Sequence, residues 1–101
     1  MSFRVVDPAR LEFAHAAFWY DQRQVGLGDQ FVDAVKHAFQ RIADAPTSHP
    51  KETTARWRRN IRRCPVDGFP YQVIFEMNPD ELLVLAVAHG NRRPGYWKRR
   101  R

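Results

Sequence analysis

Only one cysteine, Cys64, occurs in the 101 residues, so no internal disulfide can form. No Cys/His pair has the spacing of a metal-ligand set, and neither a structural metal nor a cofactor is expected. No stretch approaches the roughly 20 apolar residues that span a bilayer. The opening Met1-Ser2-Phe3-Arg4-Val5-Val6 is not a signal peptide, because Asp7-Pro8 interrupts it too early. Internal repeats and low-complexity linkers are missing as well. These absences leave a cytoplasmic, metal-free protein with one domain over residues 1–101.

Acidic residues are outnumbered, and the net charge is +6. The imbalance is local. Up to Ala45 the two signs nearly cancel. The excess lies in Arg56, Arg58, Arg59, Arg62 and Arg63, then in Arg92, Arg93, Lys98, Arg99, Arg100 and Arg101. Arginine pairs in a fork with phosphate and carboxylate, so these clusters favour a polyanionic partner, either nucleic acid or an acidic protein. A merely solvated basic face is the plainer reading.

Periodicity gives the layout. Phe3–Val6 reads as a short strand. Asp7-Pro8 reads as the cap and first residue of a helix running to about Gln24. Leu11, Ala14, Ala17 and Phe18 form its expected apolar stripe, with Phe13 and Tyr20 flanking. After the break at Gly26-Leu27-Gly28, a second helix from about Asp29 repeats Phe31, Val35, Ala38, Phe39 and Ile42 and stops at Ala45-Pro46. So short a connection makes the two an antiparallel hairpin. A polar loop over 47–55 leads to a basic strand within 57–66. Asp67-Gly68 turns the chain into Tyr71–Met77, which alternates at period two. Asn78–Glu81 turns it again, into the unbroken apolar run Leu82–Ala88. That run reads as a central strand buried on both faces. The expected fold is α+β: an N-terminal strand and an antiparallel helical hairpin packed on a small, mainly antiparallel sheet. Lys98–Arg101 reads as a frayed basic tail.

Several segments in this order resemble one family. Trp19-Tyr20, Gly26–Phe31, Phe69-Pro70-Tyr71, and Val84–His89 followed by Arg92–Trp97 are together similar to the RelE/ParE superfamily of bacterial type II toxins, over nearly the whole chain. The resemblance implies a toxin neutralised by a cognate antitoxin in a hetero-oligomer, in systems that include plasmid stabilization modules. It implies two alternative actions. RelE-like members are mRNA interferases that cut message on the ribosome without a metal. ParE-like members inhibit DNA gyrase without hydrolysis of their own. An inactive member that only binds antitoxin is the third alternative.

Metal-free RNA cleavage needs a proton acceptor at the 2′-hydroxyl, a cation at the phosphorane and a proton donor at the leaving oxygen. His89, Arg92 and Tyr96, gathered by the turn after the central strand, are the expected catalytic set, and the nuclease reading is favoured on them. Arg62, Arg63 and Arg93 are expected to contact phosphate, and Trp97 to stack on a base. One departure stands out: RelE-like nucleases usually carry Arg directly after the aromatic that opens the following strand, and here that position is Gln72.

Overall fold

The computed structural model describes residues 2–52 and 59–101. Strand β1 (Ser2–Val5) leads through Val6 into helix α1 (Asp7–Arg23), and helix α2 (Leu27–Asp44) follows after three residues. Strands β2 (Ile61–Pro65), β3 (Tyr71–Met77) and β4 (Glu81–His89) complete a four-stranded sheet in the order β1-β4-β3-β2. β2, β3 and β4 form an antiparallel meander, and β1 pairs parallel with β4. This is the expected α+β fold. The apolar run Leu82–Ala88 is buried throughout and lies between two strands, as its composition requires.

Local chemistry sets the boundaries, with some corrections to the sequence reading. Val6 is the N-cap of α1, so Asp7 and Pro8 both lie inside the first turn. There the carboxylate favours the positive end of the helix dipole, and proline has no N–H left to satisfy. Asp21 does the capping that the sequence did not advertise. Its Oδ1 accepts from the N–H groups of Gly26 and Gly28 at 3.1 and 2.9 Å, at the N-terminus of α2. Gly28 is glycine because a Cβ there would meet the Ala17 carbonyl and the Asp21 side chain. The hairpin therefore packs backbone to backbone at its tip.

The two helices bury different kinds of face. α2 presents Phe31, Val35, Ala38 and Ile42, all fully buried, as its periodicity predicted, while Phe39 of the same predicted row is half-buried. α1 does not follow its predicted stripe. Ala9 and Ala16 are its buried residues, with Glu12, Phe13, Ala17 and Tyr20 half-buried, while Leu11, Ala14 and Phe18 lie outside. Its inward face holds small, aromatic and acidic residues, so hydrophobicity alone located the wrong side.

Among the described residues the basic strand runs from Ile61 to Pro65; Arg56, Trp57 and Arg58 lie outside the described residues. Residues 50–52 run along the outer edge of β2, where Glu52 N–H donates to the Ile61 carbonyl at 2.8 Å. Between β3 and β4 the register slips at Ile74/Phe75, whose partners are Ala86 and Val84, so Leu85 is an extra residue. β1 has already stopped at Val5, opposite Val84. Beyond that point, among the described residues, β4 has no strand on that side. Side chains meet its backbone instead: Glu12 Oε1 accepts from Val87 N–H, and Arg100 Nη1 donates to the Leu85 carbonyl, each at 3.1 Å.

That closure corrects the expectation for Lys98–Arg101. Arg100 also pairs with Glu12 Oε1 at 2.8 Å, and Arg59 donates to the Lys98 carbonyl at 2.6 Å while forming an ion pair with Glu76. The segment is docked rather than frayed.

Candidate functional site

β4 ends at His89, and a glycine-rich turn carries the chain back over the sheet as Arg92, Arg93, Tyr96 and Trp97. His89 is half-buried, edge-on to Tyr71 with ring centroids 5.1 Å apart. Its Nδ1 accepts the Asn91 backbone N–H at 3.0 Å. An N–H can only donate, so Nδ1 carries no proton, and in the neutral ring the hydrogen sits on Nε2. That nitrogen is a donor.

Two cavities meet at this point, and His89 and Arg92 line both. One, of about 380 Å³, lies on the sheet face opposite the helices; Arg63, Gln72, Arg93, Tyr96 and Trp97 are among the residues that line it with them. The other, of about 560 Å³, opens between α1 and the adjoining ends of β3 and β4.

The expected catalytic set is only partly assembled. His89, Arg92, Arg93 and Arg63 converge on the smaller cavity. Tyr96 reaches it too, but its hydroxyl donates to Glu12 Oε2 at 2.7 Å. Arg92 covers the Tyr96 ring, with its guanidinium carbon 3.9 Å from the centroid, and Arg100 lies 4.9 Å away. Burial of the phenol, then the hydrogen bond to Glu12, then the Glu12 charge raise its pKa well above the ordinary value, against the opposing pull of Arg92 and Arg100. Tyr96 therefore stays protonated at neutral pH and is a poor proton acceptor.

Two other expected contacts are committed to the fold. Arg62 faces a loop: its Nη1 donates to the carbonyls of Thr47 and His49 at 3.2 and 2.7 Å, and its Nε to Asn60 at 3.1 Å. It holds the chain against the β2 edge and lines neither cavity. Trp97 is 2% exposed and belongs to the hydrophobic core, so its ring has no free face for a base. Gln72, which departs from the RelE-like pattern in the sequence, sits on the cavity wall. It offers an amide and no charge.

Glu12 is the residue that sequence reasoning missed. It accepts from Val87, Tyr96 and Arg100, with 15% of its side chain exposed, and so joins α1, β4 and the C-terminal segment. The signal was there to read: a carboxylate between Ala9, Phe13 and Ala16, on a face that turns inward, needs partners. No metal-holding group of His, Cys, Asp and Glu exists among the described residues, and none of their helices is long and apolar enough to cross a membrane.

Comparison with known proteins agrees with this architecture. The family profile of the ParE toxin of type II toxin-antitoxin system, parDE, matches residues 4–94. No curated protein matches in sequence. Among solved structures, a chain of the chromosomal ParDE TA system from P. aeruginosa superposes with a TM-score of 0.74 at 11% identity, covering 88% of this chain and 95% of that one. At such low identity that likeness speaks for the fold. The family match spans most of the length, and the resemblance read from the sequence stands: the chain belongs to the ParE toxin family of type II toxin–antitoxin systems.

Proposed function

We propose that this protein is the toxin of a cytoplasmic toxin–antitoxin pair and acts by binding DNA gyrase, without cleaving RNA itself. The observation that carries this reading is the Tyr96 hydroxyl, whose proton is committed to Glu12 at 2.7 Å instead of facing the cavity. Gln72 adds to it, since no cation stands at the position a nuclease uses for the phosphorane. This reverses the emphasis of the sequence reading, where the nuclease was favoured. The nuclease remains the second reading on one specific observation: Arg63, Arg92, Arg93 and the Nε2–H donor of His89 share one cavity, which suits a phosphodiester.

The antitoxin contact falls on the helices. Phe13, Ala17, Val32 and Phe39 line an apolar groove with Arg10 and Lys36 at its sides. An amphipathic segment with acidic flanks fits such a groove.

The test uses toxin freed from its antitoxin. Supercoiled DNA incubated with gyrase and toxin is expected to accumulate cleaved complexes. A message held on ribosomes with an empty A site is expected to stay intact when its ends are mapped by primer extension. A new end within the A-site codon, lost in His89→Gln, would overturn the binding reading in favour of the nuclease.

A further inference from the structure

His89 and Arg92 also line the larger cavity, between α1 and the ends of β3 and β4. We propose that it is a binding site for a monocarboxylate carried on an apolar or aromatic body. His15, Trp19 and Tyr20 of α1 form one wall, and Tyr71, His89 and Arg92 form the other. Its volume of about 560 Å³ lies within the range of small-ligand sites.

Unmet hydrogen-bonding capacity points to a ligand with an acceptor head. Among the described residues the Tyr20 and Tyr71 hydroxyls have no hydrogen-bond partner, and no buried polar side-chain atom is left unsatisfied, so both phenols open to the cleft. Burial raises the pKa of each, and for Tyr71 the neighbouring Tyr20 and Glu12 add to the effect. Both therefore remain O–H donors. His89 adds its Nε2–H, because Asn91 fixes the tautomer. Trp19 is half-exposed and braced on one side by Arg23, whose guanidinium carbon lies 4.2 Å from the ring centroid. Ala16, Pro70 and Val87 supply apolar wall.

Charge decides which acceptor. Arg92 has no carboxylate partner among the described residues. Glu12, the one acid lining the cleft, is paired with Arg100 and holds two further hydrogen bonds. One unpaired cation beside neutral donors balances a single negative charge. A phosphate dianion would sit next to the Glu12 carboxylate with only Arg92 to offset it. A carboxylate between the phenols and Arg92, with its hydrophobic body against Trp19, satisfies both counts.

The ligand could be a free small acid or an acidic side chain within a peptide, and one experiment separates them. Histidine-labelled protein is titrated with N-acetyl-phenylalanine, with its amide, and with the capped dipeptide acetyl-Phe-Glu-amide, following imidazole signals by NMR. Saturable shifts of His15 and His89 with N-acetyl-phenylalanine, and not with the amide, are expected. Tighter binding of the dipeptide assigns the site to a polypeptide partner, and weaker binding to a free acid. The double variant Tyr20→Phe/Tyr71→Phe removes two hydroxyls that hold nothing in the fold. It is expected to keep the folded spectrum and weaken binding at least about tenfold. Equal binding of acid and amide, unchanged affinity in the double variant, or shifts at His89 without His15 would each overturn the proposal. The result does not depend on whether the toxin's target is gyrase or message.

Discussion

Helices α1 and α2 lie side by side in one hairpin, yet they are built on opposite plans. α2 buries a continuous row of Phe31, Val35, Ala38 and Ile42 and turns Asp29, Asp33 and Gln40 outward. α1 turns Leu11 and Phe18 out, 58% and 68% exposed, and directs alanine, Phe13, Tyr20 and a carboxylate inward. Hydrophobic surface left in water on a folded monomer marks an interaction site more often than an error. α2 is there to hold the fold. α1 does more than close the core, since its inner face organises the end of β4 through Glu12, and its outer face is the one we propose for a partner.

This contrast can be broken most forcefully from the α2 side. Phe31 is fully buried and meets the rings of Phe13, Tyr20, Phe69 and Tyr71 at 5.0 to 6.0 Å. Phe31→Ala is expected to cost about 3–5 kcal/mol in urea unfolding, enough to unfold a marginal domain. A loss below about 1 kcal/mol would show that α2 is not the structural half.

A smaller effect is expected from the polar core of α1. Glu12→Ala removes the acceptor of Val87, Tyr96 and Arg100 together and is expected to cost about 2–3 kcal/mol. It should also release the C-terminal segment, seen as earlier hydrogen exchange at Arg100 and Val87. Unchanged exchange at both sites would remove Glu12 from its assigned role.

The pH profile sharpens the same point. Burial raises the folded pKa values of Tyr96, Tyr71 and Tyr20 above the ordinary phenol value of about 10. In that window the unfolded chain loses phenolic protons that the folded chain keeps. The stability they contribute is thus complete below pH 10 and falls as pH rises from there through the folded values. Each proton adds at most about 1.4 kcal/mol per pH unit to the slope. Tyr96→Phe is expected to flatten it, measured as urea midpoints between pH 9 and 11. An unaltered slope would mean that the Glu12–Tyr96 bond is not maintained in solution.

The smallest expected effect on folding belongs to the outer face of α1. Leu11→Ser and Phe18→Ser should each change stability by no more than about 0.5 kcal/mol. If that face is kept for a partner, antitoxin affinity measured by calorimetry should fall while the melting temperature holds. A large drop in melting temperature would make these residues part of the core after all.

The same contrast explains what could be read from the chain. α2 and β4 were legible because burial and hydrophobicity coincide in them, at a period of 3.6 or in an unbroken run. α1 was legible as a helix but not in its orientation, because Ala9 and Ala16 are small enough to approach β4 closely and contribute little to a hydrophobic pattern. The site divided along similar lines. His89, Arg92, Arg93 and Arg63 were found because one turn and one strand register bring them together. Tyr96 was found, but its role depends on Glu12, which lies 84 residues away and forms no motif with it. Arg62 and Trp97 were assigned by residue type, whereas loop carbonyls and core packing fix where they point.

The position of β4 has a consequence for the order in which the protein can be made. It is the hub of the sheet, and it is also the last strand to be synthesised. β1 leaves the ribosome first and finds no neighbour until Glu81–Val84 emerge, so it must wait while both helices and the β2–β3 hairpin go by. Closing that long parallel pairing is a slow, non-local event, and until it occurs the apolar face of α2 has an incomplete sheet to cover. A chain that stops short of β4 lacks both the parallel partner of β1 and the central strand of the sheet, so the sheet can close only once residues 81–89 are present.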